Sequence, residues 1–465
     1  MGSIQLKGEG MIDMREKRNR KKIIIGSVIT ALVAGSLLGT FSTSEAKSEK
    51  KHNRAKIKNV ILMIGDGMGP AYNTMYRYYK DDPKTPEMEE TLFDQHFIGK
   101  QVTYSFDHEE NITDSAAAAT SMAAGIKTYN GAISVDMEKE RVKTVLEQAK
   151  DNGMATGLVS TSQINHATPA AFGAHDVSRS NYNEIADDYY DELVNGKHKV
   201  DVMLGGGTDY FVREDRNLVE QFKEDGYSYV DNRQELLKDK NDQVLGLFAP
   251  VGMDKMIDRG ESTPSLKEMT NSALDRLKSD KDGFFLMVEG SQIDWAGHDN
   301  DVVGAMSEME DFESAFQAAI NFARKDKHTL VILTADHSTG GLAIGSNGQY
   351  NWNAEPIKAA QKTPDFIANK IVEGMDVEKA LSQYIDLDLT TEEINSVKDA
   401  TETGDVVEVD NAIEQIFDVR SGTGWTTGGH TGVDVNVYGY GPRKEMFSGL
   451  IDNTETGNLI FDILK

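Results

Sequence analysis

The run Asn59-Val60-Ile61-Leu62-Met63-Ile64, closed by Gly65-Asp66-Gly67-Met68-Gly69-Pro70, decides how the rest of this chain is read. A near-continuous apolar stretch of this length suits a strand buried on both faces, the kind found in parallel sheets. Glycine and proline then stop it. The same texture returns at residues 155–160, 200–204, 284–288, 330–334 and 433–438. Between these runs lie helical patterns: Val142, Val145, Leu146 and Ala149 ahead of a stop at Gly153, and a long one over 303–324. Strands alternating with helices predict an α/β fold with one large, mostly parallel central sheet flanked by helices on both faces. Segment 351–425 breaks the rhythm. It is polar, carries Thr391 as a cap ahead of Glu393-Ile394, and predicts a partly helical surface insertion.

The chain has 465 residues, enough for a full core in one main domain, here 59–465. Its formal net charge of -27 argues against a stoichiometric nucleic-acid partner, because such proteins present a basic face to the phosphate backbone. The same acidity repels phosphate anions, so any phosphate site must build its own positive field. Metal ions can supply that field. Cysteine is absent, which excludes disulfides, thiolate metal sites and a cysteine nucleophile.

Arg15, Lys17, Arg18, Arg20, Lys21 and Lys22 precede an apolar run over 23–41 and then Ser44-Glu45-Ala46. This reads as an export signal cleaved after Ala46, with residues ahead of Met14 an extended start and 47–58 a mobile linker. An uncleaved membrane anchor is the alternative, weakened by Gly26, Ser27, Gly35 and Gly39 within the run. Either way the expected location is secreted or at the cell envelope, and the signal is the only expected membrane contact. Removal of 1–46 takes away seven basic and four acidic residues and leaves a net charge of about -30.

Chemistry-bearing residues gather at strand ends: Asp66; Asn165, His166 and Thr168; Glu289, Asp294 and His298; Asp336 and His337; and His430, just before a strand. Ligands of open α/β sheets collect beyond the carboxyl ends of strands, so these positions can converge. Singly, each has a plainer reading: a turn at Gly65-Asp66-Gly67, a solvated helix face at Asp294 and His298, a helix cap at Asp336, an idle loop histidine at His430. Jointly they offer oxygen and nitrogen ligands without sulfur, which suits two Zn2+ at the histidine-rich positions and one Mg2+ where carboxylates and a hydroxyl dominate. Two metals roughly 3.5–4 Å apart clamp the attacking and leaving oxygens of an in-line displacement. Ser115, in Thr113-Asp114-Ser115-Ala116-Ala117-Ala118-Ala119-Thr120, opens an alanine-rich helix whose N-terminus favours negative charge, though an ordinary cap is the alternative there.

The ordered set Ile64-Gly65-Asp66-Gly67-Met68-Gly69, Thr113-Asp114-Ser115-Ala116, His166-Ala167-Thr168-Pro169, Val288-Glu289-Gly290, Asp294 with His298, Thr334-Ala335-Asp336-His337-Ser338 and Gly428-Gly429-His430-Thr431-Gly432 resembles the motifs of the alkaline phosphatases over 59–440. The resemblance implies one zinc on Asp294, His298 and His430. A second would sit on Asp66, Asp336 and His337 beside the nucleophile Ser115, with magnesium on Asp66, Thr168 and Glu289 near His166. Arg179 matches the arginine that grips phosphate. The implied activity is hydrolysis of phosphate monoesters through a phosphoserine, for phosphate scavenging, and homodimers are common in the family. One well-known bacterial version carries aspartate where this chain has His166 and lysine where it has Trp295. A related two-metal diesterase, sulfatase or mutase, and a non-catalytic metal- or phosphate-binding surface protein, are the competing readings.

Overall fold

The computed structural model describes residues 56–107 and 109–465. The export signal and most of the predicted linker lie outside the described residues. Of that linker, Lys58 N donates to His328 O at 2.9 Å and Lys56 O accepts from His328 Nδ1 at 3.0 Å.

Ten strands form the main sheet: β1 Asn59–Gly65, β2 Phe97–Val102, β3 Ala155–Gln163, β4 Val202–Gly206, β5 Ser228–Val230, β6 Val244–Leu247, β7 Phe284–Gly290, β8 Thr329–Ala335, β9 Val435–Tyr440 and β10 Gly449–Asp452. Their order across the sheet is β10-β2-β9-β8-β1-β7-β3-β4-β6-β5. Every pairing is parallel except those of β9, which runs against both β8 and β2.

The apolar opening run of β1 occupies the middle of this sheet, between β8 and β7, and its burial explains its lack of alternation. Ile61 and Met63 join the core on one face, whereas Val60, Leu62 and Ile64 join the core on the other. Successive side chains of a strand point to opposite faces, so a strand covered twice must be apolar at both parities. Helices Pro70–Lys80, Leu266–Leu277 and Val302–Asp326 cover the first face. The second is covered by Ser115–Ala124, Val145–Asp151, Ala167–Gly173 and Asn453–Leu464.

Several expected boundaries move. Val142 lies ahead of its helix, which starts at Val145 behind the cap Thr144, whose capping box with Glu147 fixes the entry. The cap expected at Thr391 is Thr390, because the side chain three residues on must be Glu393 for the reciprocal pair to close. Strands β2, β5, β6 and β10 had no clear signal: they are short, and three of them hold glycine or exposed positions. Segment 351–425 is largely helical, with Pro364–Val372, Val377–Tyr384, Thr391–Thr401 and Val406–Ser421, and its Ile367, Leu381, Val397, Ile413 and Phe417 extend the first core. Among the described residues no helix is long and apolar enough to cross a membrane.

Strand direction places the site. Asp66, Glu289, Asp336 and the His166 loop stand at or beyond the carboxyl ends of β1, β7, β8 and β3, four adjacent strands. His430 precedes β9, and because β9 is antiparallel its beginning lies on that same edge of the sheet.

Candidate active site

The turn after β1 is built for close approach. Gly67 has φ of +66°, and a Cβ there would lie 2.7 Å from Thr339 Oγ1 and 2.8 Å from Asp294 Cα. A side chain at this position would therefore push away the helix that carries Asp294. Gly67 N in turn donates to Asp336 Oδ1 at 3.0 Å, and His337 N donates to the same oxygen at 2.9 Å. The two strand ends are thus tied together by the carboxylate they share.

Asp294 and His298 share one face of helix Gln292–Asp299, with Oδ2 and Nε2 3.4 Å apart. His430 Nε2 lies 3.7 Å from Asp294 Oδ1 and 3.2 Å from His298 Nε2. His430 is brought there by a short ladder in which Ser338–Thr339 pairs with His430–Thr431, where a helix cap and loop were the alternative readings. The ladder also stacks the His337 and His430 rings, 3.6 Å between centroids.

Hydrogen bonds fix the tautomers. His298 Nδ1 faces Gly428 O at 2.7 Å and His430 Nδ1 faces Thr113 O at 2.8 Å. A carbonyl only accepts, so each Nδ1 carries a proton, and each Nε2 is left to hold a second proton toward Asp294 or, once that is lost, to present its lone pair to a metal. The Thr339 hydroxyl donates to Asp294, so it accepts from His337 Nδ1 at 3.2 Å. His337 Nε2 then faces Asp66 Oδ1 and Asp336 Oδ2, each at 3.3 Å, and Ser115 Oγ at 3.2 Å. Ligating imidazoles are held in this way, through their far nitrogen, in metal sites.

The oxygen atoms complete the pattern. Both carboxylate oxygens of Asp66, together with Asp336 Oδ2, Glu289 Oε1 and Thr168 Oγ1, are buried and have no hydrogen-bond partner. Such orphaned groups are costly unless something positive sits among them. Three groups have ligand atoms within 4.8 Å of one another: Asp294, His298 and His430; Asp66, Asp294 and His337; and Asp66, His166 and Glu289. The donor set fits metal ions, and Asp66 belongs to two of the three groups.

Electrostatics agree. Burial, then neighbouring carboxylates, drive the Asp66 carboxyl well above the usual range, and burial first of all pushes Glu289 up to about 8 and Asp336 up to about 7. Burial would also raise Asp294, but its hydrogen bond to His298 and the nearby imidazoles hold it below the ordinary value. The Asp294 hydrogen bond lifts His298 to about 9. Burial depresses His337 and His430.

Ser115 is the first residue of helix Ser115–Ala124, and its cap Asp114 accepts from Ala117 N at 2.9 Å. Asp114 Oδ2 also accepts from Arg179 Nη1 at 3.0 Å and from Gly131 N at 2.9 Å. One carboxylate thereby sets both the serine and the guanidinium. Burial would lower Arg179, yet the Asp114 charge outweighs it and the group stays firmly cationic. Arg179 Nη2 donates to His166 Nε2 at 3.1 Å, so His166 leans on the arginine as well as on the Asp66 and Glu289 group. The His166 ring also meets Trp295 edge to face, with centroids 5.7 Å apart. The eleven residues expected as nucleophile, phosphate grip or metal-site members therefore gather at one edge of the sheet, whereas Asn165 Nδ2 donates to Tyr182 O at 2.8 Å. Asp114, inside a quoted motif, and Thr339, one residue past another, have no role assigned from the sequence; their hydrogen-bonding work depends on partners distant in the chain.

A family model for alkaline phosphatase matches residues 57–465. The chain belongs to the alkaline phosphatase family. Alkaline phosphatase 3 of Bacillus subtilis (strain 168) is 61% identical over 453 residues, covering 97% of this chain and 98% of the relative. Alkaline phosphatase 4 of the same strain is 55% identical over 450 residues, 96% of this chain and 97% of the relative. Among solved structures, the cold-active alkaline phosphatase from a psychrophilic Shewanella species aligns with a TM-score of 0.82 at 42% identity, covering 88% of this chain and 100% of that one. The alkaline phosphatase of the Antarctic bacterium TAB5 has also been solved as a histidine-to-aspartate mutant with Mg bound in its M3 site; it aligns at 30% identity with a TM-score of 0.65, over 88% of this chain and 98% of that one. The alkaline phosphatase family acts on phosphate monoesters, and this chain carries the family's mostly parallel sheet.

Proposed function

We propose that this chain is a secreted, metal-dependent phosphomonoesterase that transfers phosphoryl groups through Ser115 and serves phosphate scavenging. The observation that carries the reading is three imidazoles with fixed Nδ1 partners, His298 and His430 against Asp294 and His337 against Asp66 and Asp336, beside buried oxygens of Asp66, Asp336 and Glu289 that have no hydrogen-bond partner. Asp294, His298 and His430 hold one zinc, and Asp66, Asp336 and His337 hold a second beside Ser115. Asp66, Thr168 and Glu289, with His166 alongside, hold magnesium, in keeping with the Mg in the TAB5 mutant. Bound there, such ions neutralise phosphate charge and lower the pKa of coordinated hydroxyl and water. Ser115 Oγ attacks phosphorus; its new O–P bond forms as the ester O–P bond breaks and the alcohol leaves. Water then cleaves the phosphoserine. Arg179, steadied by Asp114, offers two N–H groups to phosphate oxygens, and the helix N-terminus beneath Ser115 favours the transferred anion. Export rests on the basic and apolar stretches at 15–46.

Two measurements test this reading. The zinc- and magnesium-loaded protein should turn over p-nitrophenyl phosphate far faster than bis-p-nitrophenyl phosphate, since Arg179 recognises dianionic phosphate; the reverse order indicates a diesterase, and no turnover of either indicates a binding protein. Acid should also strip the metals. His298 holds a proton up to about 9 in the metal-free site, so metal uptake must displace it, and affinity falls as pH drops. Zinc affinity, and with it zinc content and activity, is expected to weaken as pH drops below about 9, and zinc retained at about pH 4.5 would contradict the histidine ligands.

A further inference from the structure

Helix Gln292–Asp299 ends one residue beyond His298, and the chain passes at once into Asp301, the cap of helix Val302–Asp326. At this corner Asp299 and Asp301 meet Asp365, from helix Pro364–Val372, and Asp410 and Glu414, from helix Val406–Ser421. Carboxylate oxygens of Asp299, Asp365 and Asp410 all lie within 4.8 Å of one another. Lys255 faces them, its Nζ 3.2 Å from Asp365, 3.6 Å from Asp299 and 3.9 Å from Asp301. One ammonium offsets one of five carboxylates. Asp410 is 3% exposed and Asp301 1%, yet Asp410 Oδ1, Asp301 Oδ2 and Glu414 Oε1 are buried without a hydrogen-bond partner.

We propose that Asp299, Asp365 and Asp410 hold a calcium-like divalent cation, at a site separate from the catalytic centre, that pins the helical insertion to the end of the helix bearing Asp294 and His298. The donors are oxygens alone, which favours a hard cation over zinc. They come from three separate helices, and the Asp299 and Asp365 side chains are 34% and 47% exposed, so water can complete a large, flexible coordination shell of the calcium kind. Without a cation the cluster must take up protons instead: burial and then acidic neighbours push Asp410 up to about 9 and Glu414 up to about 11. The contrast with Glu147, His175 and Glu192 is instructive. That group also has ligand atoms within 4.8 Å, but Lys199 and Arg141 pair with Glu192 and supply its positive charge.

Calcium titrated calorimetrically into the full chain, already replete with zinc and magnesium, tests the proposal. Wild type is expected to bind calcium at a site that Asp410→Asn weakens by at least about 10–100-fold, with zinc content unchanged. Thermal melts give an independent reading. Calcium should raise the Tm of wild type but not of Asp410→Asn, while in EGTA the variant should melt at or above wild type because its buried side chain is neutral without having to take up a proton. Should Asp410→Asn fail to fold, the half-exposed Asp365→Asn is read in the same way. No calcium binding by wild type, or calcium binding that both variants retain, overturns the site and leaves Lys255 as its sole counter-charge.

Discussion

Ser115→Ala is expected to lower kcat for a phosphate monoester by roughly 10⁴- to 10⁶-fold, in the range seen when a covalent nucleophile is removed. The fold should not suffer. Ser115 Oγ has a single side-chain hydrogen bond in the described residues, with His337 Nε2, and alanine continues the small-residue packing of Ala116, Ala117, Ala118 and Ala119 beneath it. The discriminating readout is acid-quenched phosphoenzyme from labelled substrate, which should be present in wild type and absent in the variant at equal zinc content. Full labelling of Ser115→Ala would move the nucleophile elsewhere.

Asp66→Asn should give the second-largest effect, with opposite signs for activity and for metal-free stability. Asp66, like Asp294, is shared by two of the three ligand groups, so its loss should remove metal from both and lower kcat/KM by at least about 10²- to 10³-fold, the scale set by loss of a single key electrostatic contact. In the metal-free protein the same carboxylate is a burden: it is fully buried, lies against Asp336 and Glu289, and its pKa is raised. Groups whose pKa rises on folding stabilise the folded state only while protonated. With Asp336 at about 7 and Glu289 at about 8, metal-free wild type should lose stability as pH rises from about 4 to about 8. Asp66→Asn should flatten that decline and melt a few degrees higher than wild type near pH 8 in chelator, while gaining less when metals are restored. Equal metal content in variant and wild type would break the argument.

Particular residues mark how far the sequence could be read. The unbroken apolar run of β1 announced a strand covered on both faces, and a one-dimensional signal sufficed because period and polarity are local. Asp294 and His298 were legible as a pair, since the four-residue helical repeat sets them on one face. Strands β2 and β10 were not, because short strands at one side of the sheet owe their conformation to the neighbour they pair with. Between the adjacent Thr390 and Thr391 the sequence leaves the cap ambiguous, and only the reciprocal bond to Glu393 selects Thr390.

By itself the sequence determined the α/β architecture, the residue types available for metal and phosphate chemistry, and their order along the chain. The motif resemblance already grouped His430 with them, but how it reaches them is tertiary: it precedes its strand, and only the reversed direction of β9 brings that end to the shared edge. The same holds for which imidazole nitrogen faces inward, because Gly428 O and Thr113 O are more than a hundred residues from the rings they orient. Composition and periodicity act between near neighbours, whereas strand direction and hydrogen-bond partnership are set by which distant segments pack together.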